Sequence, residues 1–262
     1  QGKPVLLQAH VALCDNSIIE CGAQGDGDDI TKNLYWTTSG AVVGWFQKQR
    51  AVWTEVAVQD GPPSSPGVLQ VRTYRTRVTP GATWKRRSVS KPFDVYAVIY
   101  GWRGKDIDEA LKAYMHDLFQ CEARRQVLPD GRELQAGGQA HLVAWIGHNR
   151  MMDLQREELS DMLLRKDGCT ARKKGMIAVA CRTGGYLGRH VSSPQRVPLL
   201  LTDSLLFAGT HAFEGAARAF INGASLAEIR SAGAASYAEG QGKPLSHVNS
   251  AFVNPAYKGW RW

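Results

Sequence analysis

The chain has 262 residues, 44% of them hydrophobic, which is enough to bury a large core. Its apolar runs stay shorter than the roughly 18 consecutive residues of a membrane-spanning helix, so no membrane partner is expected. The net charge of +8 is spread along the chain without a zinc-finger or RNA-recognition motif, so nucleic acid is an unlikely partner.

In the first part of the chain, apolar runs alternate with a helical pattern. Residues 4–13 (PVLLQAHVAL) predict a buried strand, and a polar, glycine-rich loop follows it. Residues 31–49 predict a helix. Three more strands are predicted over 53–59, 68–78 and 93–102, and the middle one alternates apolar and polar residues, which is typical of a hairpin arm at a sheet edge.

The second part of the chain begins with the clearest helical pattern, over residues 106–119, with Asp106 as a candidate N-cap. Buried strands are then predicted over 141–147, 175–181 and 197–203, and helices over 153–166, 213–223 and 225–240. Apolar strands interleaved with helices predict a mostly parallel sheet covered by helices on both faces. The fold class is therefore α/β, a three-layer sandwich in one domain spanning 1–262.

The five cysteines bear on the cellular compartment. In an oxidising compartment, an odd count favours two bridges and one free thiol. Four bridged cysteines allow three pairings, of which Cys14 with Cys21 is the most local and Cys121 with Cys169 completes the set, leaving Cys181 free. In a reducing compartment all five are thiols. The chain begins with Gln1 and shows no leader, which fits a mature secreted or periplasmic protein, or a trimmed chain.

Two of the buried strands end in residues capable of chemistry. The run HLVAWIGHN ends in Gly147, His148 and Asn149, and GMIAVACRTGG ends its apolar part at Cys181. If these strands are adjacent and parallel, both side chains emerge at one edge of the sheet. A histidine beside a thiol can take its proton and form the nucleophilic thiolate. The amides of Gly147 and Cys181 are candidate donors to a developing oxyanion.

These residues resemble the caspase-like cysteine peptidases, a group that includes caspases, gingipains, clostripain and CHAT-type proteases. The similar features are a strand ending in Gly-His, a later strand ending in Ala-Cys, and ACRT followed by GG. The resemblance covers residues 139–240, and residues 1–105 match only as generic strands and helices. It implies a Cys-His dyad, with Cys181 as nucleophile, His148 as general base and acid, and Gly147 in the oxyanion role.

The chain departs from the caspase pattern beside the cysteine. Val179 stands where a caspase has glutamine and Thr183 where it has glycine, so caspase-type aspartate specificity is not implied. Asp203, at the end of the next strand, is a candidate partner for a basic substrate side chain. Arg182 and Asp15 are further candidate substrate-binding residues, and Asp15 is alternatively a residue that orients His148.

The sequence thus predicts a bacterial, exported cysteine endopeptidase that acts on a peptide or protein without a cofactor. One alternative is a non-catalytic binding protein of the same fold, and another is hydrolysis of a non-peptide amide such as a cell-wall cross-link. A papain-like role for Cys14 is disfavoured, because a glycine-rich acidic loop follows it instead of a helix.

Other site types have weaker support in the sequence. The loop GDGDD (25–29) offers oxygen ligands for calcium but lacks the later glutamate of an EF-hand, so a solvated turn is favoured. Zinc, nucleotide and serine-hydrolase motifs are not found. His10 and His141 fit structural roles.

Overall fold

The computed structural model describes residues 3–155, 157–158, 168–169, 172–190 and 195–254. Its strands are β1 (Val5–Ala12), β2 (Thr54–Asp60), β3 (Val68–Val78), β4 (Phe93–Trp102), β5 (Ala123–Val127), β6 (Glu133–Gly137), β7 (Leu142–Ile146), β8 (Lys174–Val179) and β9 (Arg196–Leu200). Seven of them form one sheet in the order β2-β3-β4-β1-β7-β8-β9, and β5 and β6 form a separate hairpin. The fold is mixed α/β with a mostly parallel sheet, as predicted.

The first strand of the chain lies in the middle of this sheet. β1 pairs in parallel with β4, where Val5 is opposite Val95, and in parallel with β7, where Leu7 is opposite Leu142. β7, β8 and β9 continue in parallel, whereas β3 runs antiparallel to β4 and to β2. The five parallel strands therefore send their carboxyl ends to one edge, where the predicted active-site residues lie.

The described helices are α1 (Val42–Lys48), α2 (Ala82–Arg86), α3 (Ile107–Phe119), α4 (Thr183–His190), α5 (Thr210–Ile221), α6 (Leu226–Gln241) and α7 (Leu245–Val248). Alternate residues of β1 enter two different hydrophobic clusters, as its period of two requires. Leu7 packs in the cluster that includes Phe213 of α5 and Ile229 of α6. Leu6 packs in the cluster that includes Leu111 and Leu118 of α3.

Two disulfide bridges hold the loops around the sheet. Cys14, just after β1, is bonded to Cys21. Cys121, between α3 and β5, is bonded to Cys169, with a sequence separation of 48. Cys181 is the free cysteine. The pairing of Cys14 with Cys21 and of Cys121 with Cys169 is the most local of the three pairings that the sequence allows.

Two fully buried histidines illustrate how the core treats ionisable groups. Trp102 Nε1 donates to His10 Nδ1 at 3.1 Å, and His10 Nε2 lies 2.9 Å from an Asp117 carboxylate oxygen. Desolvation by burial lowers the pKa of His10, although Asp117 opposes the shift. Burial, with a smaller contribution from the charge of Lys48, lowers the pKa of His211 to about 4. The structural role expected for His10 is confirmed.

Three sequence predictions differ from the structure or lie outside it. The helix predicted over 31–49 is wrong over most of its length, because only α1 is helical and residues 31–41 form turns. There Asn33 donates through Nδ2 to the carbonyls of Cys14 and Asp26, a tertiary contact that overrides local helix propensity. β3 pairs on both sides, so the edge strand is β2. The helix predicted over 153–166 falls largely outside the described residues.

Candidate active site

The strands that carry the predicted dyad are adjacent. β7 and β8 pair in parallel with Ile146 opposite Val179, so His148 and Cys181 each follow a paired residue by two positions. Gly147 has φ +150°, a conformation that side-chain-bearing residues rarely adopt, and it lets the chain turn away from the sheet. The expectation that the two reactive residues leave neighbouring strands at one sheet edge is confirmed.

Cys181 carries a half-buried free thiol in a partly aromatic setting. Its Sγ lies 3.4 Å from both the backbone nitrogen and the carbonyl oxygen of Leu206. The Leu206 N–H is therefore aimed at sulfur, and such a bond is stronger to a thiolate than to a thiol. Burial raises the pKa of Tyr35 to about 12, with a smaller contribution from the nearby Cys181. Burial likewise raises the pKa of Tyr237, with a smaller contribution from Cys181.

His148 is held by a carboxylate that the sequence analysis did not select. Its Nε2 lies 2.6 Å from an oxygen of Asp153, and the His148 side chain is 15% exposed. Its backbone carbonyl accepts a hydrogen bond from Trp145 Nε1 at 3.1 Å. Backbone and ring are thus both fixed at the end of β7.

Asn149 joins the two strand ends. This fully buried side chain donates through Nδ2 to the Cys181 carbonyl at 2.5 Å. Its Oδ1 is buried and makes no hydrogen bond with the described residues. The described polar contacts of the Cys181 thiol and the His148 ring go to Leu206 and Asp153 instead of to each other.

The amide of Gly147 is used within the sheet. It donates to the Val179 carbonyl at 3.3 Å, a long hydrogen bond at the end of the β7–β8 ladder. For the Gly147 N–H to donate to an oxyanion, it must therefore release the Val179 carbonyl and bind the substrate instead.

The three predicted substrate-binding residues lie at the same sheet edge but in different loops. Arg182 is exposed with φ +51°, and its backbone nitrogen donates to Ser204. Asp203 is exposed beside Gly184, at the start of α4. Asp15 accepts hydrogen bonds from Ser17, so the carboxylate beside His148 is Asp153 and not Asp15.

A cavity of about 420 Å³ opens beside Asp153. Its lining residues come from the loops after β1 and β7, from the turn after β4 and from the start of α3: Ser17, Ile18, Lys105, Ile107, Asp108, Arg150 and Asp153. Two of these, Asp153 and Arg150, also contact each other, with an N–O distance of 3.6 Å. The carboxylate that contacts His148 thus borders this cavity.

The acidic loop 25–29 is organised by its own side chains. Asp26 accepts a hydrogen bond from the Asp28 amide, and Asp29 accepts from Thr31. Within the described ranges, no three His, Cys, Asp or Glu side chains are grouped so as to hold a metal ion. Of the helices in the described part of the chain, none has the length and apolar character needed to cross a membrane.

Comparison with known proteins does not assign this site. No family model matches the chain, and neither a curated protein nor a solved structure matches it significantly.

Proposed function

We propose that this protein is a caspase-like cysteine endopeptidase in which Cys181 is the nucleophile and His148 the general base and acid. The observation that carries the proposal is the position of the free thiol. Cys181 is the cysteine left out of the two disulfides, and it lies at a parallel strand end next to the strand that delivers a histidine. Reactive residues of such sheets concentrate at these carboxyl ends.

In the proposed reaction, His148 takes the thiol proton and the Cys181 thiolate attacks the carbonyl carbon of the peptide. The resulting oxyanion accepts from the Cys181 amide and from Gly147, whose bond to Val179 is exchanged. His148 then protonates the leaving amine, and a thioester remains on Cys181. Water, giving its proton to His148, attacks this thioester and releases the carboxylic acid.

The same proposal includes a three-layer, caspase-like arrangement in one domain and export from a bacterium. The packing of β1 into one cluster with α5 and α6 and another with α3 supports helices on both faces. Two disulfides support an oxidising compartment. Arg182, which follows the nucleophile, and Asp203, which lies beside Gly184, are the proposed contacts for peptide side chains. Asp15, in the loop after β1, is a further proposed contact.

One observation favours a second candidate, a binding protein without turnover. The Cys181 thiol and the His148 ring are each engaged by other groups, Leu206 and Asp153, in the structure. A protein that only holds a peptide at this edge needs no proton transfer between the two side chains.

Alkylation of the native protein with iodoacetamide across pH separates the two candidates. Mass spectrometry locates the modified cysteine, and His148→Ala is compared with His247→Ala, which removes an exposed histidine. The peptidase proposal predicts fast reaction of Cys181 below pH 7 that His148→Ala abolishes and His247→Ala preserves. The proposal is contradicted if Cys181 reacts slowly and at the same rate in the wild-type protein and in His148→Ala.

A peptide-library digest supplies the direct assay. Cleavage by the wild-type protein that is lost in Cys181→Ala supports endopeptidase activity. Fast alkylation combined with no cleavage of any peptide, but release of an amine from cell-wall fragments, moves the substrate to a non-peptide amide.

A further inference from the structure

The turn after His148 is built to present a carboxylate to the imidazole. Arg150–Met152 form a 3₁₀ turn, and the Asp153 amide donates to the Arg150 carbonyl at 3.1 Å. Met151, in the middle of the turn, is buried in the cluster that includes α3. The side chain of Asp153 is therefore carried by a turn that is itself anchored in the core.

A second carboxylate fixes the same turn from another element. Arg150 makes two hydrogen bonds to Asp108, of 2.7 and 3.2 Å, from Nε and Nη2. This bidentate pairing is the geometry that best orients a guanidinium. Asp108 belongs to the first turn of α3, so the connection runs from α3 through Arg150 to the turn that carries Asp153.

We propose that Asp153 is a positioning residue that fixes the tautomer and orientation of His148 for proton transfer with Cys181. This inference rests on the proposed function. Asp153 contacts the imidazole ring and acts through it.

The chemistry follows from the proton inventory of a neutral imidazole, which has one N–H and one acceptor nitrogen. If Nε2–H donates to Asp153, then Nδ1 carries the lone pair and takes the proton from Cys181. The S–H bond breaks, an N–H bond forms at Nδ1, and the electron pair stays on sulfur. The Asp153 carboxylate, in contact with the ring, stabilises the imidazolium by its charge.

The groups around His148 define the electrostatic balance. Asp153 contacts the ring, and Arg150 lies 3.6 Å from the same carboxylate and is itself paired with Asp108. Lys105 lines the cavity on the α3 side, and Cys181 follows the neighbouring strand. Asp153 is the negative charge in direct contact with the ring, so its removal is expected to disfavour the imidazolium–thiolate pair.

The first measurement is the tautomer of His148 in the wild-type protein, from imidazole ¹⁵N–¹³C correlation spectra above the midpoint of its titration, with His148→Ala as assignment control. The inference requires a neutral ring protonated at Nε2. A ring protonated at Nδ1 overturns it, whether or not the protein is a peptidase.

The second measurement is the pH profile of iodoacetamide alkylation of Cys181 in Asp153→Asn. Loss of the charge is expected to slow the reaction at neutral pH about tenfold and to move the acidic limb of the profile, below which alkylation becomes slow. Asp130→Asn is the matched control, because Asp130 is an exposed turn residue of the β5–β6 hairpin. If Asp153 has only a structural role, Asp153→Asn lowers stability but leaves the acidic limb of the alkylation profile where it is in the wild-type protein.

The outcomes separate the two proposals. If His148→Ala removes the acidic limb and Asp153→Asn leaves it in place, the positioning role is overturned and the peptidase proposal stands. If His148→Ala leaves the wild-type profile unchanged, the dyad itself fails. A shifted limb in Asp153→Asn, with the Nε2–H tautomer lost, supports both.

Discussion

The two disulfides should contribute unequally to stability, because they close chain segments of different length. Replacement of both cysteines of a bridge by serine removes the constraint on the unfolded chain while changing few native contacts. The comparison is Cys14→Ser/Cys21→Ser against Cys121→Ser/Cys169→Ser, both in a Cys181→Ser background so that no free thiol can exchange with the remaining bridge.

Chain entropy sets the expected size of each effect. The Cys14–Cys21 bridge has a sequence separation of 7, which corresponds to about 2.4 kcal/mol at 25 °C. The Cys121–Cys169 bridge has a separation of 48, which corresponds to about 4.1 kcal/mol. The longer bridge should therefore contribute about 1.7 kcal/mol more to the free energy of unfolding.

Urea unfolding followed by tryptophan fluorescence measures the difference, with the parent Cys181→Ser protein as reference. The double variant at 121 and 169 should unfold at the lower urea concentration. Equal midpoints, or a larger loss on removing the Cys14–Cys21 bridge, would refute the reasoning from loop length and point to local packing as the main contribution.

Three other predictions concern the site and the core. His211 has a folded pKa of about 4 against 6.5 when unfolded, so the folded state binds fewer protons between these values and stability falls as pH drops through them. The loss approaches ~3 kcal/mol at pH 4, and His211→Gln should flatten the profile in urea titrations. Gly147→Ala forces a side chain into φ +150° and should cost about 1–3 kcal/mol, seen as a lower urea midpoint; an unchanged midpoint contradicts the strain. Asn149→Ala leaves the Cys181 carbonyl without its donor and should lower the free energy of unfolding by about 1–3 kcal/mol, measured by thermal unfolding. Asn149→Asp keeps the size of the side chain but replaces the donating NH₂ group, so it tests the hydrogen bond by itself.

The seven strands of the main sheet were predictable from sequence as apolar or alternating runs bounded by turn residues. The β5–β6 hairpin was missed, because its strands, such as ARRQV, are mostly polar. The interleaving of strands with helices also led correctly to a mostly parallel sheet and to His148 and Cys181 at one edge. The position of β1 between β4 and β7 was not predictable in this way, since hydrophobic pattern specifies burial but not the neighbour. The disulfide pairing agreed with the most local arrangement.

The missed features depend on contacts between residues that no local pattern connects. Asp153 stood at the start of a predicted helix, where an aspartate is an ordinary N-cap, so its role beside His148 had no separate signal. Asn33 sat inside a helical pattern, yet its side chain binds the carbonyl of Cys14, 19 residues earlier. Local propensity is weak against such tertiary hydrogen bonds.

The central position of β1 has a consequence for the order of events during synthesis. β1 is made before its two neighbours, whose partner residues in β4 and β7 follow about 90 and 135 positions later. At ribosomal rates of 5–20 residues per second, the second partner emerges roughly 7–27 s after β1. Throughout that interval an apolar strand with two open edges has no native partner on at least one side. Because both pairings are distant in sequence, the sheet should close slowly, only after β7 has emerged.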